Sequence, residues 1–462
     1  MAPSIATAAI VAASQEREPP MSRFNFSFGI VLWLILSLTS PLLAGAQQPQ
    51  PLTGDDRAAI IDRISQALLE TYVFPEDAEV MAQRLAKQLE SGAYGDATDA
   101  TVFCHLLNQD LHSVRRDLHL HVDFAPLQRS EPGKAQQADE EKRMLEKLPR
   151  LNYGFRRLEM LEGNIGYLRF DAFVDASLGG ATAIAAMTFL ADADAIIFDV
   201  RNNGGGSPSM IQLISSYLFE EPTHLNSFYI RKRDTTKEFW TQSDIQGKRR
   251  SEVPVFVLTS GRTFSAAEEF AYNLKHLGRA TIVGETTGGG AHPVERFRVE
   301  GYPIVVSLPF GRAINPITGT NWEGTGVEPD IKVAADRALD TAHLEVLEMI
   351  EDMTEDIQRK QEVELTLARV KSRVDPIHLD ETQIQAYVGV YGPHQVSVKD
   401  EHLILLIGGN LEIPMIAIGD DRFVLDGMEE VLVLFERNES GDVVAAVSLH
   451  DGVEERYPYQ QG

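Results

Sequence analysis

A chain of 462 residues, 44% apolar and 24% charged, has the balance of a folded protein large enough for two or three domains. Its 42 Lys and Arg against 68 Asp and Glu give a net charge of -26, a surface that repels phosphate backbones and anionic lipid heads and so argues against a nucleic-acid partner. The lone cysteine, Cys104, rules out a disulfide framework or a cysteine metal site. No HExxH zinc motif is present, and the glycine-rich run 284–290 lacks the Lys of a P-loop, so neither metal nor cofactor is expected.

Residues 1–20 show no pattern of their own. Met21 and Arg23, the apolar run Gly29–Leu36, Pro41 and Ala44-Gly45-Ala46 follow the order of a signal peptide: basic region, apolar core, breaker and small-residue cleavage site. The apolar run is short for a membrane span. This predicts a secreted or periplasmic protein whose mature chain begins near Gln47, with membrane contact only through that segment if it stays uncleaved.

Residues 55–115 read as helices. Ile61, Ile64, Leu68 and Tyr72 repeat at helical spacing up to Pro75; Met81, Leu85 and Leu89 share a second face; a third helix runs from Asp99 to Leu111. It carries Cys104, read as a buried apolar thiol. The polar stretch 126–150, with Pro132-Gly133, is a connector. From Gly163, apolar runs rich in β-branched residues (165–170, 195–199, 253–258, 280–283) alternate with helical stretches (181–190, 209–219, 266–277), the pattern of an α/β core around a mainly parallel sheet. Residues 340–372 read as one charged amphipathic helix. From 380 to 459, short alternating runs split by Gly turns indicate an all-β domain, a small barrel or a sandwich. The expected organisation is therefore an extension and signal peptide (1–46), a helical subdomain (47–125), a connector (126–150), an α/β core (151–338), a linker helix (339–375) and a C-terminal β domain (376–462).

Two strand ends stand out. DVRNNGGG (199–206) leaves a buried strand for a helix, and its glycines let backbone N–H groups approach a ligand; a tight turn without a ligand is the plainer alternative. TSGRTFSAAEEF (259–270) places Ser265 where another strand meets a helix N-terminus. Ser265 there is either a helix cap or a nucleophile beside free amides and a helix dipole. The nucleophile-elbow motif GxSxG is absent.

The segments DVRNNGGG, TFSAAEEFAYNLKHLGRATIVGETTGGG (263–290) and TGTNWEGTGVEPD (318–330) resemble the C-terminal-processing (tail-specific) serine peptidase family, in the branch containing the tricorn protease core and the interphotoreceptor retinoid-binding protein modules. The likeness runs from about residue 55 to 335 and omits the β domain. It implies Ser265 as nucleophile. The Lys base of the processing branch is replaced by Gly290, and the tricorn-like His matches His119 in Asp117-Leu118-His119, with Glu323 as its carboxylate. The oxyanion hole it implies is an N–H of Gly204 or Gly205 together with that of Ala266. The tricorn-like pattern has Ser before its His, where this chain has Leu118, which leaves the route from Glu323 to His119 open. His121, placed to point the same way as His119 on an extended chain, and His292 in the glycine loop are rival bases. Between 125 and 160 there is no room for a PDZ domain. The implied function is a serine-type peptidase acting on peptide or protein substrates. A non-catalytic carrier of retinoid or fatty-acid ligands, and an esterase on small acyl substrates, are the alternatives.

Overall fold

The computed structural model describes residues 51–126, 142–143, 145–450 and 453–460. The signal segment and most of the expected connector lie outside the described residues. No helix among them is long and apolar enough to cross a membrane.

Three helices, Gly54–Thr71, Pro75–Glu90 and Ala100–Val114, form the N-terminal region. Thr53 and Asp99 cap the first and third through backbone N–H groups, and Pro75 sits in the first turn of the second, where its missing N–H costs nothing. Their apolar faces (Ile64, Leu68, Met81, Leu85, Phe103, Leu107) enclose a core shared with a three-stranded antiparallel sheet in the order 121–124, 304–309, 294–298. Cys104 is buried there, its thiol pushed up to about 12 by burial.

The central sheet has six strands in the order 331–332, 281–284, 255–259, 195–199, 165–170, 155–161. The first five are mutually parallel, and the last pairs antiparallel at the edge. Side chains alternate between two cores: Leu168, Ile196, Phe198, Val257 and Ile282 face helices 176–189, 208–215 and 266–276, while Tyr167, Ile197, Phe256, Leu258 and Val283 face the opposite layer. That layer differs from the single linker helix expected. It consists of two helices, Ala338–Met353 and Ile357–Val374, which cover the sheet with Val346, Leu347, Val363 and Leu367. Asp356 breaks the run, its carboxylate accepting the N–H of Arg359 to cap a new helix.

The C-terminal part is a closed antiparallel barrel of eight sequential strands from Gly389–Tyr391 to Val453–Gln460, which resolves the choice between barrel and sandwich. It rests on helix 357–374: Leu365 and Ala368 pack against Ile418, Val424 and Leu432, and Ser372 Oγ donates to Ala417 O at 2.5 Å.

Candidate active site

Two neighbouring parallel strands end side by side, and their loops are laced together. Asp199 closes its strand by accepting from Arg201 Nε (2.9 Å), Arg201 Nη2 (2.7 Å) and Tyr167 Oη (2.6 Å). The Arg201 hydrogen bonds and charge hold its carboxyl below the usual range against the opposing effect of burial. Thr263 Oγ1 donates to Val200 O and Ser260 Oγ to Arg201 O, while the N–H of Phe264 donates to Asn203 O at 3.1 Å. Buried Asn203 also donates to Phe170 O and accepts the N–H of Gly205 at 2.8 Å. The glycine turn is therefore rigid, and it lies against the start of helix 266–276.

Ser265 occupies that junction with φ 56° and ψ -122°, a region that L-residues occupy only under strain of about 1–3 kcal/mol. A Cβ added at Gly205 (φ 105°) would lie 2.8 Å from Ser265 Cβ and 2.9 Å from Ala266 N, so only glycine admits this approach. The N–H groups of Gly204 and Ala266 make no hydrogen bond among the described residues, while that of Gly205 is taken by Asn203.

Glu268, one turn into the helix, is fully buried and holds the junction to the glycine loop 286–290. One carboxylate oxygen accepts from Thr287 Oγ1 (2.5 Å) and Gly289 N (2.6 Å); the other accepts from Ser265 N (2.8 Å) and Gly290 N (2.9 Å). Burial nevertheless pushes its carboxyl up to about 7. Trp322 Nε1 donates to Gly290 O at 2.8 Å and closes the loop from the other side. The sequence carries a trace of this role, since Ser265-Ala-Ala-Glu268 has capping-box spacing.

His119 stands in a turn after the third helix, with Leu120 N donating to Asp117 O. The chain is not extended there, which removes the basis for pairing His119 with His121 by register. The ring of His119 lies 4.8 Å from that of Phe264, and a Cβ at Gly290 would come within 2.5 Å of its Cε1. Gly290 thus has no room for a side chain, because His119 and Phe264 fill the space beside it. Burial drives His119 down to about 4, with the charge of Asp117 opposing. Its Nδ1 is buried without a hydrogen-bond partner, and so is Glu323 Oε1.

The remaining candidates separate. His121 is on strand 121–124 opposite Ser307, its ring 6.1 Å from His112. His292 is buried, with Nδ1 2.8 Å from Asp117 Oδ2 and 3.4 Å from Glu323 Oε2. Asp117 also accepts from Tyr72 Oη (3.0 Å) and from the N–H of His119 (3.1 Å). Glu323 Oε2 accepts the N–H of Ala291 at 2.6 Å, and burial raises its pKa. Asp117, His292 and Glu323 could geometrically hold a metal ion, but hydrogen bonds among themselves and to neighbouring amides already account for their packing.

Residues 164–333 match the model of peptidase family S41, and residues 55–158 match the N-terminal domain of that family in eukaryotic IRBP. The chain belongs to peptidase family S41. It is a serine-type peptidase, a hydrolase. Solved structures similar to this S41 chain include a lipoprotein from Streptococcus agalactiae (16% identity, 65% of this chain and 98% of that one, TM-score 0.42). The photosystem II D1 C-terminal processing protease matches at 16% identity over 62% of this chain and 94% of its own, with a TM-score of 0.40. The tricorn protease matches at 13% over 64% of this chain and 37% of its own, also with a TM-score of 0.40.

Proposed function

We propose that this S41 peptidase cleaves peptide bonds with Ser265 as nucleophile, His119 as general base and Glu323 as the carboxylate that supports it. The observation that carries the reading is the strained backbone of Ser265 at a helix N-terminus. A residue used only as a cap sits comfortably in extended conformation, whereas Ser265 is held at φ 56° beside the N–H of Ala266, and strain of this kind clusters at active sites.

A serine hydroxyl attacks a carbonyl only when a base takes its proton, and a neutral imidazole does so near neutral pH. With Nδ1 buried, Nε2 is the nitrogen that accepts from Ser265. His119 Nδ1 and Glu323 Oε1 are both buried without a partner; a hydrogen bond formed between them during the reaction would fix the tautomer and stabilise the imidazolium. The oxyanion of the tetrahedral intermediate is received by the N–H groups of Ala266 and Gly204, with Gly205 providing the close approach. Imidazolium then protonates the leaving amine, and water hydrolyses the acyl-enzyme by the same route.

The N-terminal sequence pattern supports a location outside the cytoplasm, with peptides or proteins as substrates. Ser265→Ala should lower turnover of a fluorogenic peptide by about 10³-fold or more with little change in melting temperature. Retained activity would reduce Ser265 to a cap.

A further inference from the structure

The barrel supplies no group to the site described above, yet its interior is not filled. Its eight strands follow one another around the ring and close through Val390 against Gln460 and Tyr391 against Tyr459. A barrel of this size either packs its interior with side chains or holds one small ligand. Here the two ends differ. One is plugged by helix Glu381–Tyr387, whose Tyr387 ring lies 4.9 Å from that of Phe423 and 4.8 Å from that of Phe435. Toward the other end lies a cavity of about 220 Å³.

Its floor is apolar and buried: Val396, Leu405, Leu425, Val433 and Ala446. Its rim is polar, made by His394, Ser448, Glu455 and Tyr457 beside the turns that join the strands. Tyr457 Oη donates to Glu455, whereas His394 Nδ1 is buried without a partner. An apolar void of this kind costs stability that an apolar occupant recovers. A cavity of 150 Å³ admits benzene, so this one takes roughly nine heavy atoms. The rim selects the head group. A carboxylate would sit against Glu455 and be repelled. A hydroxyl donates its one proton to Glu455 and accepts from His394 Nδ1–H.

We propose that the C-terminal barrel is a binding site for a small apolar alcohol, held with its hydrocarbon against the floor and its hydroxyl at the His394–Glu455 rim. This site is independent of the Ser265 chemistry.

The test is calorimetric titration of the full chain at pH 8 with 1-octanol, and separately with octanoate. Saturable 1:1 binding of octanol is expected, at least tenfold tighter than octanoate. Ala446→Leu, which fills the floor, should weaken octanol at least tenfold. Glu455→Gln, an exposed change that leaves the fold alone, should narrow the preference for octanol over octanoate at least threefold. Ser265→Ala should bind octanol as the parent does. The proposal is overturned by an absence of saturable binding, by octanoate binding as well as octanol, or by a preference that Glu455→Gln leaves untouched. Loss of binding in Ser265→Ala would also overturn it, since the probe would then occupy the peptidase cleft.

Discussion

Replacing Gly290 by Ala leaves every polar group of the candidate site in place and disturbs only the seat of His119. The new Cβ would stand 2.3 Å from Phe264 Cζ and 2.5 Å from His119 Cε1. Unstrained contact needs about 3.4 Å or more, so each ring must retreat by roughly 1 Å. Overpacking of this kind costs about 1–3 kcal/mol, read as a fall of a few degrees in melting temperature. A misplacement of 1 Å costs on the order of 10² in rate, so kcat/KM on a fluorogenic peptide should drop about a hundredfold. The control is Gly261→Ala in the neighbouring turn, where the nearest atom to the added Cβ is Glu285 Oε2 at 4.0 Å; this change should stay within about 0.5 kcal/mol in stability and keep full activity. A Gly290→Ala enzyme that melts lower but turns over like the parent would refute the placement of the base against Gly290.

Three further outcomes follow from the same geometry. His119→Ala should abolish peptide turnover and His121→Ala should leave most of it; His292→Ala should lower stability through the stranded Asp117 carboxylate, and the reverse ranking of His119 and His121 in activity would move the base to the strand. With His119 driven down to about 4 by burial, kcat/KM should hold as pH falls to about 5 and decline only near 4; a decline centred at about 6.5, the value of a solvated imidazole, would contradict the burial. Glu268 is raised from 4.5 to about 7, so its contribution is full below about pH 4.5 and is lost as pH rises through 7, about 3 kcal/mol in all. Glu268→Gln should flatten that slope in chemical denaturation while costing about tenfold or more in activity, because an amide NH₂ must then face Ser265 N–H, Gly290 N–H or their counterparts on the other oxygen.

Much of this architecture is legible locally. Helical periodicity at Ile61, Ile64 and Leu68, and the β-branched runs at 195–199 and 253–258, mark elements whose buried faces the structure displays. The DVRNNGGG turn and Ser265 are visible because backbone conformation restricts residue type there. What escapes is contact across long separations. Asp117 and His292 meet across 175 positions, and no local pattern announces a buried hydrogen-bonded pair. Helices 338–353 and 357–374 pass for one charged linker because their exposed faces are rich in Glu, Lys and Arg, while the apolar stripe that covers the sheet is narrow. Glu268 reads as an ordinary helix cap until the glycine loop folds onto it.

The central claim is that Ser265 is an activated nucleophile. Incubation of the full chain with a fluorophosphonate probe, followed by peptide mapping, tests it without knowledge of the substrate. A single phosphonylated residue at Ser265 is predicted, with labelling slowed by orders of magnitude in His119→Ala. Labelling of another serine, or equal labelling of Ser265 in the parent and in His119→Ala, would contradict the account.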